Sequence, residues 1–146
     1  MTLELTQAQL DAMVGQALAE APLECCGLIG GVGDRTRRVY PARNELQSRA
    51  RYRIHPEDMY RAWREIELEN GWEIIGFYHS HPMSDAYPSP TDVADAVESG
   101  YSEVSRFVIV SLVDSDRPVV RSFWLKQGKV VEEPLTIVAD DAGEEA

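Results

Sequence analysis

The sequence predicts an α/β fold with a mixed, largely antiparallel sheet flanked by helices, and three observations carry that prediction. Segments with helical periodicity are interleaved with short apolar runs that read as strands. The interleaving lacks the strict strand–helix alternation of a parallel doubly wound sheet. Several strands follow one another across short turn signals, "GVGD", "DSDRP" and "QGK", which join antiparallel neighbours.

Taken in chain order, Thr6 with Gln9 three residues on forms a capping box, and Leu10, Met13, Val14, Ala17 and Leu18 follow at helical spacing. Pro22 stops that helix. "LECCGLIGG" then reads as a short buried strand that turns at "GVGD" into a second strand around "RRVYP". After a polar stretch, "RYRI" is a candidate strand, and Pro56 at a first-turn position opens a second helix. Met59, Trp63 and Ile66 share its apolar face until Asn70-Gly71 ends it. "EIIGFYHS" is too apolar for an edge and too short for a helix, hence a central strand. Ser89-Pro90-Thr91-Asp92 supplies an N-cap, a first-turn proline and an acid at the third helical position, so a third helix runs from there to about Gly100. "RFVIVSLV", "VVRSFWLK" and "KVVEEPLTIV" close the chain as an antiparallel meander.

The 146 residues suit one domain with a core of its own, residues 1–138, followed by an acidic, apolar-poor tail, 139–146, that reads as disordered. The net charge of −11 repels phosphate backbones and anionic headgroups, so neither nucleic acid nor a membrane surface is an expected partner. "RARYR", with Arg49, Arg51 and Arg53, is a basic exception. It is either a solvated strand face or a contact for an acidic protein. Cys25 and Cys26 are adjacent and ill-placed to bond to each other, so no oxidising compartment is required. The first residues lack the pattern of a secretory signal, and no apolar run reaches the roughly 18 residues of a membrane span. A cytoplasmic protein is expected, with a homodimer left open.

The chemistry concentrates at "GFYHSHPMSDAYPSPTDVADA". An H-x-H pair at a strand end turns both imidazoles to one side. Zinc accepts neutral imidazole nitrogen and carboxylate oxygen, and a catalytic site uses three protein ligands with the fourth position left open. His79, His81 and Asp92 supply such a set, provided the loop from Pro82 to Pro88 brings the third helix back to the strand end. The alternative is a set of hydrogen-bonded polar residues at a strand–helix corner.

Read whole, Glu24 followed by H-S-H-P, six residues and S-P-T-D resembles the signature of the JAMM, or MPN-plus, metalloprotease family. That signature is a glutamate on an early strand and then H-x-H-P-x6-S-x-x-D. The resemblance extends over nearly the whole chain, including "PLECCGLIGG" and "YRIHPEDMYRAW", and is closest to the small bacterial branch that acts on ubiquitin-like sulfur-carrier proteins. It implies the MPN fold, of cytidine-deaminase-like architecture, and one zinc per chain held by His79, His81 and Asp92. It also implies Glu24 as the acid–base that takes a proton from water and hands it to the departing amine. Ser89 is implied as a hydrogen-bond donor to the oxyanion, beside its plain reading as an N-cap.

The implied activity is hydrolysis of the bond after the C-terminal Gly-Gly of a ubiquitin-like carrier, releasing cysteine or a short extension. An isopeptidase that removes a small modifier from lysine is the near alternative. A non-catalytic MPN scaffold is the distant one, disfavoured because the ligand set is complete. Other candidates are weaker. His55 before Pro56 reads as a surface or capping residue, Cys25 and Cys26 as small core residues facing opposite ways, and Trp63, Trp72 and Trp124 as core or interface aromatics.

Overall fold

The computed structural model describes residues 1–140, so the acidic tail lies almost wholly outside the described residues. Helix α1 (Gln7–Glu20) begins as its capping box dictates: Gln9 N–H donates to Thr6 Oγ1 at 3.1 Å, and Thr6 N–H donates to Gln9 Oε1 at 2.9 Å. Met13 and Ala17 are its buried stripe, whereas Leu18 is largely exposed. Helix α2 (Pro56–Trp63) is capped by His55, whose Nδ1 accepts from Glu57 N–H, and it runs on as a π-helical segment over Arg64–Glu69. Gly71, at φ +66, takes the left-handed turn that ends it. Helix α3 (Pro90–Ser99) starts at Ser89 and is closed by Gly100 at φ +82.

The strands are β1 (Leu3–Thr6), β2 (Cys26–Val32), β3 (Arg35–Ala42), β4 (Glu73–His81), β5 (Arg106–Ser111), β6 (Val119–Trp124), β7 (Val131–Glu133) and β8 (Leu135–Val138). They form one sheet in the order β7-β6-β5-β4-β2-β3-β1-β8. The β2–β3, β2–β4, β5–β6 and β6–β7 pairs are antiparallel, while β4–β5, β1–β3 and β1–β8 are parallel. Strand β4 is central, as its unbroken apolar run requires.

Three details depart from the sequence reading. Strand β1, four residues ahead of the first helix, has no signature of its own because its partner β8 lies at the far end of the chain. "RYRI" forms no strand; it contributes one isolated bridge, Asn44 to Ile54. "KVVEEPLTIV" is not one strand, because Pro134 offers no N–H and divides it into β7 and β8 at opposite edges of the sheet. Those edges are one residue apart in sequence. A flat sheet of this width would hold them more than about 30 Å apart, so the sheet curls strongly round.

Each face carries a core. Leu3, Leu5, Ile29, Val39, Tyr78 and Val108 pack with α1 on one side. On the other, Leu28, Phe77, Ile109 and Phe123 pack with Ala62, Ile66 and Ala96 from the helical segments that cover that face. Cys25 belongs to the first cluster and Cys26 to the second, the opposite facing expected of neighbours on a strand. No helix among the described residues is long and apolar enough to cross a membrane. The C-terminal end of β4, on the face that carries α3, is where the polar residues gather.

Candidate metal centre

His79 and His81 are two residues apart on β4, so both imidazoles leave the same face, and both are buried. The loop from Pro82 to Pro88 returns the chain to the N-terminus of α3. Asp92, at the third helical position, turns its carboxylate back toward Ser89 and toward both rings. Nε2 of His79 and Nε2 of His81 are 3.1 Å apart, and Asp92 Oδ2 lies 3.2 Å from the first and 2.9 Å from the second. Two imidazole nitrogens and a carboxylate oxygen bound at about 2.0–2.1 Å span tetrahedral edges of roughly 3.3 Å, so this triangle has the dimensions of three vertices about one small cation. Among the described residues it is the group of His, Cys, Asp or Glu that could hold a metal ion, its ligand atoms all within 4.8 Å of one another.

The rest of the pocket supports that use. His81 Nδ1 donates to the carbonyl of Asp85 at 2.7 Å, which places its hydrogen on Nδ1 and leaves the Nε2 lone pair for a ligand role. Burial works to raise the Asp92 carboxyl, but the hydrogen bonds from His79 and His81 outweigh it and hold the group well below the ordinary carboxylate range. Burial lowers the His79 imidazole despite Asp92. For His81, burial is outweighed by Asp92 and the Asp85 carbonyl, and its affinity for a proton rises. His81 and Asp92 thus favour a positive charge between them, the place a bound cation would take.

Glu24 immediately precedes Cys25, whose carbonyl accepts from Ser80 N–H and whose own N–H donates to Ser80 Oγ at 2.8 Å. Cys26 pairs with His79, so the same antiparallel register carried two residues further brings Glu24 level with His81 and onto its face. Glu24 is 3 % exposed, and its Oε1 finds no hydrogen-bond partner among the described residues. Burial pushes its carboxyl up to about 8, with His81 lowering it and Asp92 raising it. A buried carboxylate oxygen with nothing bound to it, beside a metal-sized triangle, is placed to receive a proton from a molecule entering the site.

Ser89 is both N-cap and neighbour of the centre. Its Oγ accepts from Asp92 N–H at 3.0 Å, which leaves the hydroxyl hydrogen free to be donated elsewhere. All five residues singled out from the sequence, Glu24, His79, His81, Ser89 and Asp92, therefore reach one corner of the sheet. His55 stays at its cap, and the thiols of Cys25 and Cys26 are buried and pushed up, Cys25 to about 12, by that burial. Of the basic stretch, Arg51 grips Asp95 on α3 at 3.1 and 2.8 Å and Arg53 pairs with Glu45 at 2.6 Å.

Sequence reasoning missed Asn44 and Tyr52. Tyr52 stacks on His79 and also borders a cavity of about 430 Å³ with an apolar wall of Ile54, Met59, Phe77 and Phe107 and a charged one of Arg51, Asp95 and Glu98. In sequence, both residues sit in what looks like a polar connection and a short strand.

Residues 6–126 match the family of prokaryotic homologs of the JAB domain. The CysO-cysteine peptidase of Mycobacterium tuberculosis is 35 % identical over 131 residues, covering 88 % of this chain and 86 % of that protein. The desampylase of Pyrococcus furiosus is 26 % identical over 137 residues, covering 94 % and 91 %. Among solved structures, that of a Desulfitobacterium hafniense protein superposes with a TM-score of 0.79 at 31 % identity, covering 95 % of this chain and 94 % of the other. A motif confined to one corner of the sheet is thus embedded in a chain that resembles its relatives from end to end, and the chain belongs to the prokaryotic JAB-domain family.

Proposed function

We propose that this chain is a zinc-dependent metallopeptidase that hydrolyses the bond following the C-terminal Gly-Gly of a ubiquitin-like sulfur-carrier protein, releasing cysteine or a short extension. The observation that carries the reading is the buried triangle of His79, His81 and Asp92 with the unpartnered carboxylate oxygen of Glu24 beside it. The names borne by the relatives, a CysO-cysteine peptidase and a desampylase, point to a carrier or small modifier as the substrate class.

His79 and His81 through Nε2, with Asp92 through Oδ2, would hold the zinc. When bound, zinc polarises a water and the scissile carbonyl so that hydrolysis can run near neutral pH. Glu24 accepts a proton from the attacking water and delivers it to the departing amine nitrogen, and the second water proton follows to the same nitrogen, so that one water and one amide become a carboxylate and an ammonium. Burial, with the Asp92 charge beside it, gives Glu24 the proton affinity to hold that proton, and His81 lowers that affinity so that the proton can be passed on. Ser89 donates its free hydroxyl hydrogen to the oxygen that gains negative charge as the carbonyl is attacked. The cavity bordered by Tyr52 offers room for side chains of the incoming tail. All these groups come from one chain, so the reading needs no second copy. We read residues 1–138 as the catalytic unit and the cytoplasm as its place of work.

The test is the product mass after the zinc-loaded protein is incubated with two substrates, a Gly-Gly-ended carrier extended by cysteine and the same carrier joined to a lysine side chain. Loss of the cysteine extension alone supports the reading. Cleavage of the lysine conjugate alone assigns an isopeptidase instead. Glu24→Gln should keep one zinc and lose hydrolysis, and an active Glu24→Gln protein would remove Glu24 from the mechanism.

A further inference from the structure

The two histidines of the centre are held in unequal ways. The His81 ring is fixed by its Nδ1 hydrogen bond to the Asp85 carbonyl. His79, with Nε2 in the triangle, has a buried Nδ1 with no partner among the described residues. A ligating histidine ordinarily fixes its ring by donating its second N–H, and His79 lacks that anchor. What touches its ring is the face of Tyr52, stacked at a centroid distance of 4.4 Å and an interplanar angle of 22°, and the edge-on His81 ring at 4.9 Å and 66°.

Tyr52 is held in turn by an elaborate tether. It lies in the irregular segment between β3 and α2, where the side chain of buried Asn44 makes four hydrogen bonds. Its Nδ2 donates to the carbonyls of Glu24 and Arg51, both at 3.1 Å, and its Oδ1 accepts from the N–H groups of Leu46 and Arg53, both at 3.1 Å. Glu24 N–H donates to the Ser48 carbonyl at 2.8 Å, and the Arg51 guanidinium grips Asp95, three residues beyond Asp92 on the same helix. One segment thereby touches the backbone of Glu24, the ring of His79 and the helix that carries Asp92.

We propose that Tyr52 is a positioning residue of the metal centre, its ring taking the place of the missing hydrogen bond and holding the His79 imidazole in its ligand orientation, with Asn44 holding the segment from which it acts. The proposal rests on the reading of His79, His81 and Asp92 as metal ligands. The chemistry required is the flat face of an aromatic ring and not its hydroxyl, so phenylalanine serves and an aliphatic side chain does not. An imidazole free to rotate samples orientations in which Nε2 leaves the triangle, and each such orientation lowers the fraction of protein ready to bind the ion.

The experiment measures zinc affinity by chelator competition, and the visible absorption of the cobalt-substituted protein, for the unaltered chain, Tyr52→Phe, Tyr52→Leu, Tyr52→Met and His79→Ala. Partners that orient a ligand typically contribute about 10–100-fold in metal affinity, so Tyr52→Leu and Tyr52→Met should bind zinc at least about 10-fold more weakly. Their cobalt spectra should shift, and Tyr52→Phe should match the unaltered protein in both measurements. Methionine fills the volume flexibly, so it reports on the ring even where leucine disturbs the fold. Aliphatic variants that bind zinc as tightly as the unaltered chain, while His79→Ala does not, overturn the role of Tyr52 and leave the ligand set standing. Zinc binding that survives His79→Ala overturns the ligand set, and the proposal with it.

Discussion

Ser89 and Asp92 cap each other: Asp92 N–H donates to Ser89 Oγ at 3.0 Å, and Ser89 N–H donates to Asp92 Oδ2 at 2.9 Å. The same Oδ2 faces both imidazoles, so one oxygen belongs to a helix cap and to the metal triangle together. Helix geometry thus aims Asp92 Oδ2 at the two rings, because the third helical residue of a capping box must turn its side chain back over the first turn.

That double duty separates into two measurable parts. Ser89→Ala should lose about 1 kcal/mol of stability as a lost cap, and about 10²–10³ in turnover as a lost oxyanion donor. Glycine at an N-cap costs only about a few tenths of a kcal/mol and has no side-chain hydrogen to donate, so Ser89→Gly should recover most of the thermal stability without recovering the turnover. Thermal denaturation and product formation on the same preparations check both halves.

The second helix is tied down by a titratable contact away from the metal. Asp58 Oδ2 accepts from Arg43 N–H at 2.7 Å and from Nε at 3.0 Å, and Oδ1 accepts from Nη2 at 3.0 Å. The Arg43 side-chain hydrogen bonds hold the Asp58 carboxyl below its ordinary value of 3.8, against the effect of burial. The folded value lies below the unfolded one, so the contribution is fully present above about 4 and is lost as pH falls through the folded value. Asp58→Asn should therefore cost about 1 kcal/mol at pH 7, Arg43 being well exposed, with the difference closing toward pH 2. Urea denaturation across that range reads it directly.

One charge pairing is buried within the curled sheet. Arg106 Nε donates to Glu133 Oε2 at 2.9 Å and Nη2 to Asp34 at 2.7 Å, while Ser122 Oγ donates to the same Glu133 oxygen at 2.8 Å. Arg106 and Glu133 are almost inaccessible, and Glu133 ends β7, the strand before the Pro134 break. Removing one partner of such a pair leaves a buried charge uncompensated, so Arg106→Met should destabilise the fold by about 3–5 kcal/mol. Arg106→Met combined with Glu133→Gln should recover a large part of that loss, measured by chemical denaturation of both variants.

Much of this was legible in the chain itself, for identifiable reasons. Capping boxes at Thr6 and Ser89, the first-turn prolines 56 and 90 and the closing Gly100 are local stereochemistry, so α1, α2 and α3 start where their residues require. The run "EIIGFYHS" reads as a central strand because both its faces are buried. The spacing from His79 through His81 to Ser89 and Asp92 spans one strand end, one loop and one helical turn, short enough for local geometry to decide.

The chain alone therefore determined the helix starts, the central strand and the grouping of His79, His81, Ser89 and Asp92, which follow from contacts between near neighbours in sequence, whereas Glu24 joins them only through the pairing of the Cys25 backbone with Ser80, 55 residues on. The tertiary structure decided what depends on distant partners. Strand β1 exists only between β3 and β8, the latter 132 residues on from Leu3 to Leu135, and Pro134 sends β8 to the opposite edge from β7. "RYRI" alternates like a strand, yet the Asn44 side chain takes the N–H of Arg53 and the carbonyl of Arg51 that a ladder would have used. That choice leaves Tyr52 free to lie on His79. Periodicity records which residues are buried, but not what they are buried against, and the stack of Tyr52 on His79 is information of the second kind.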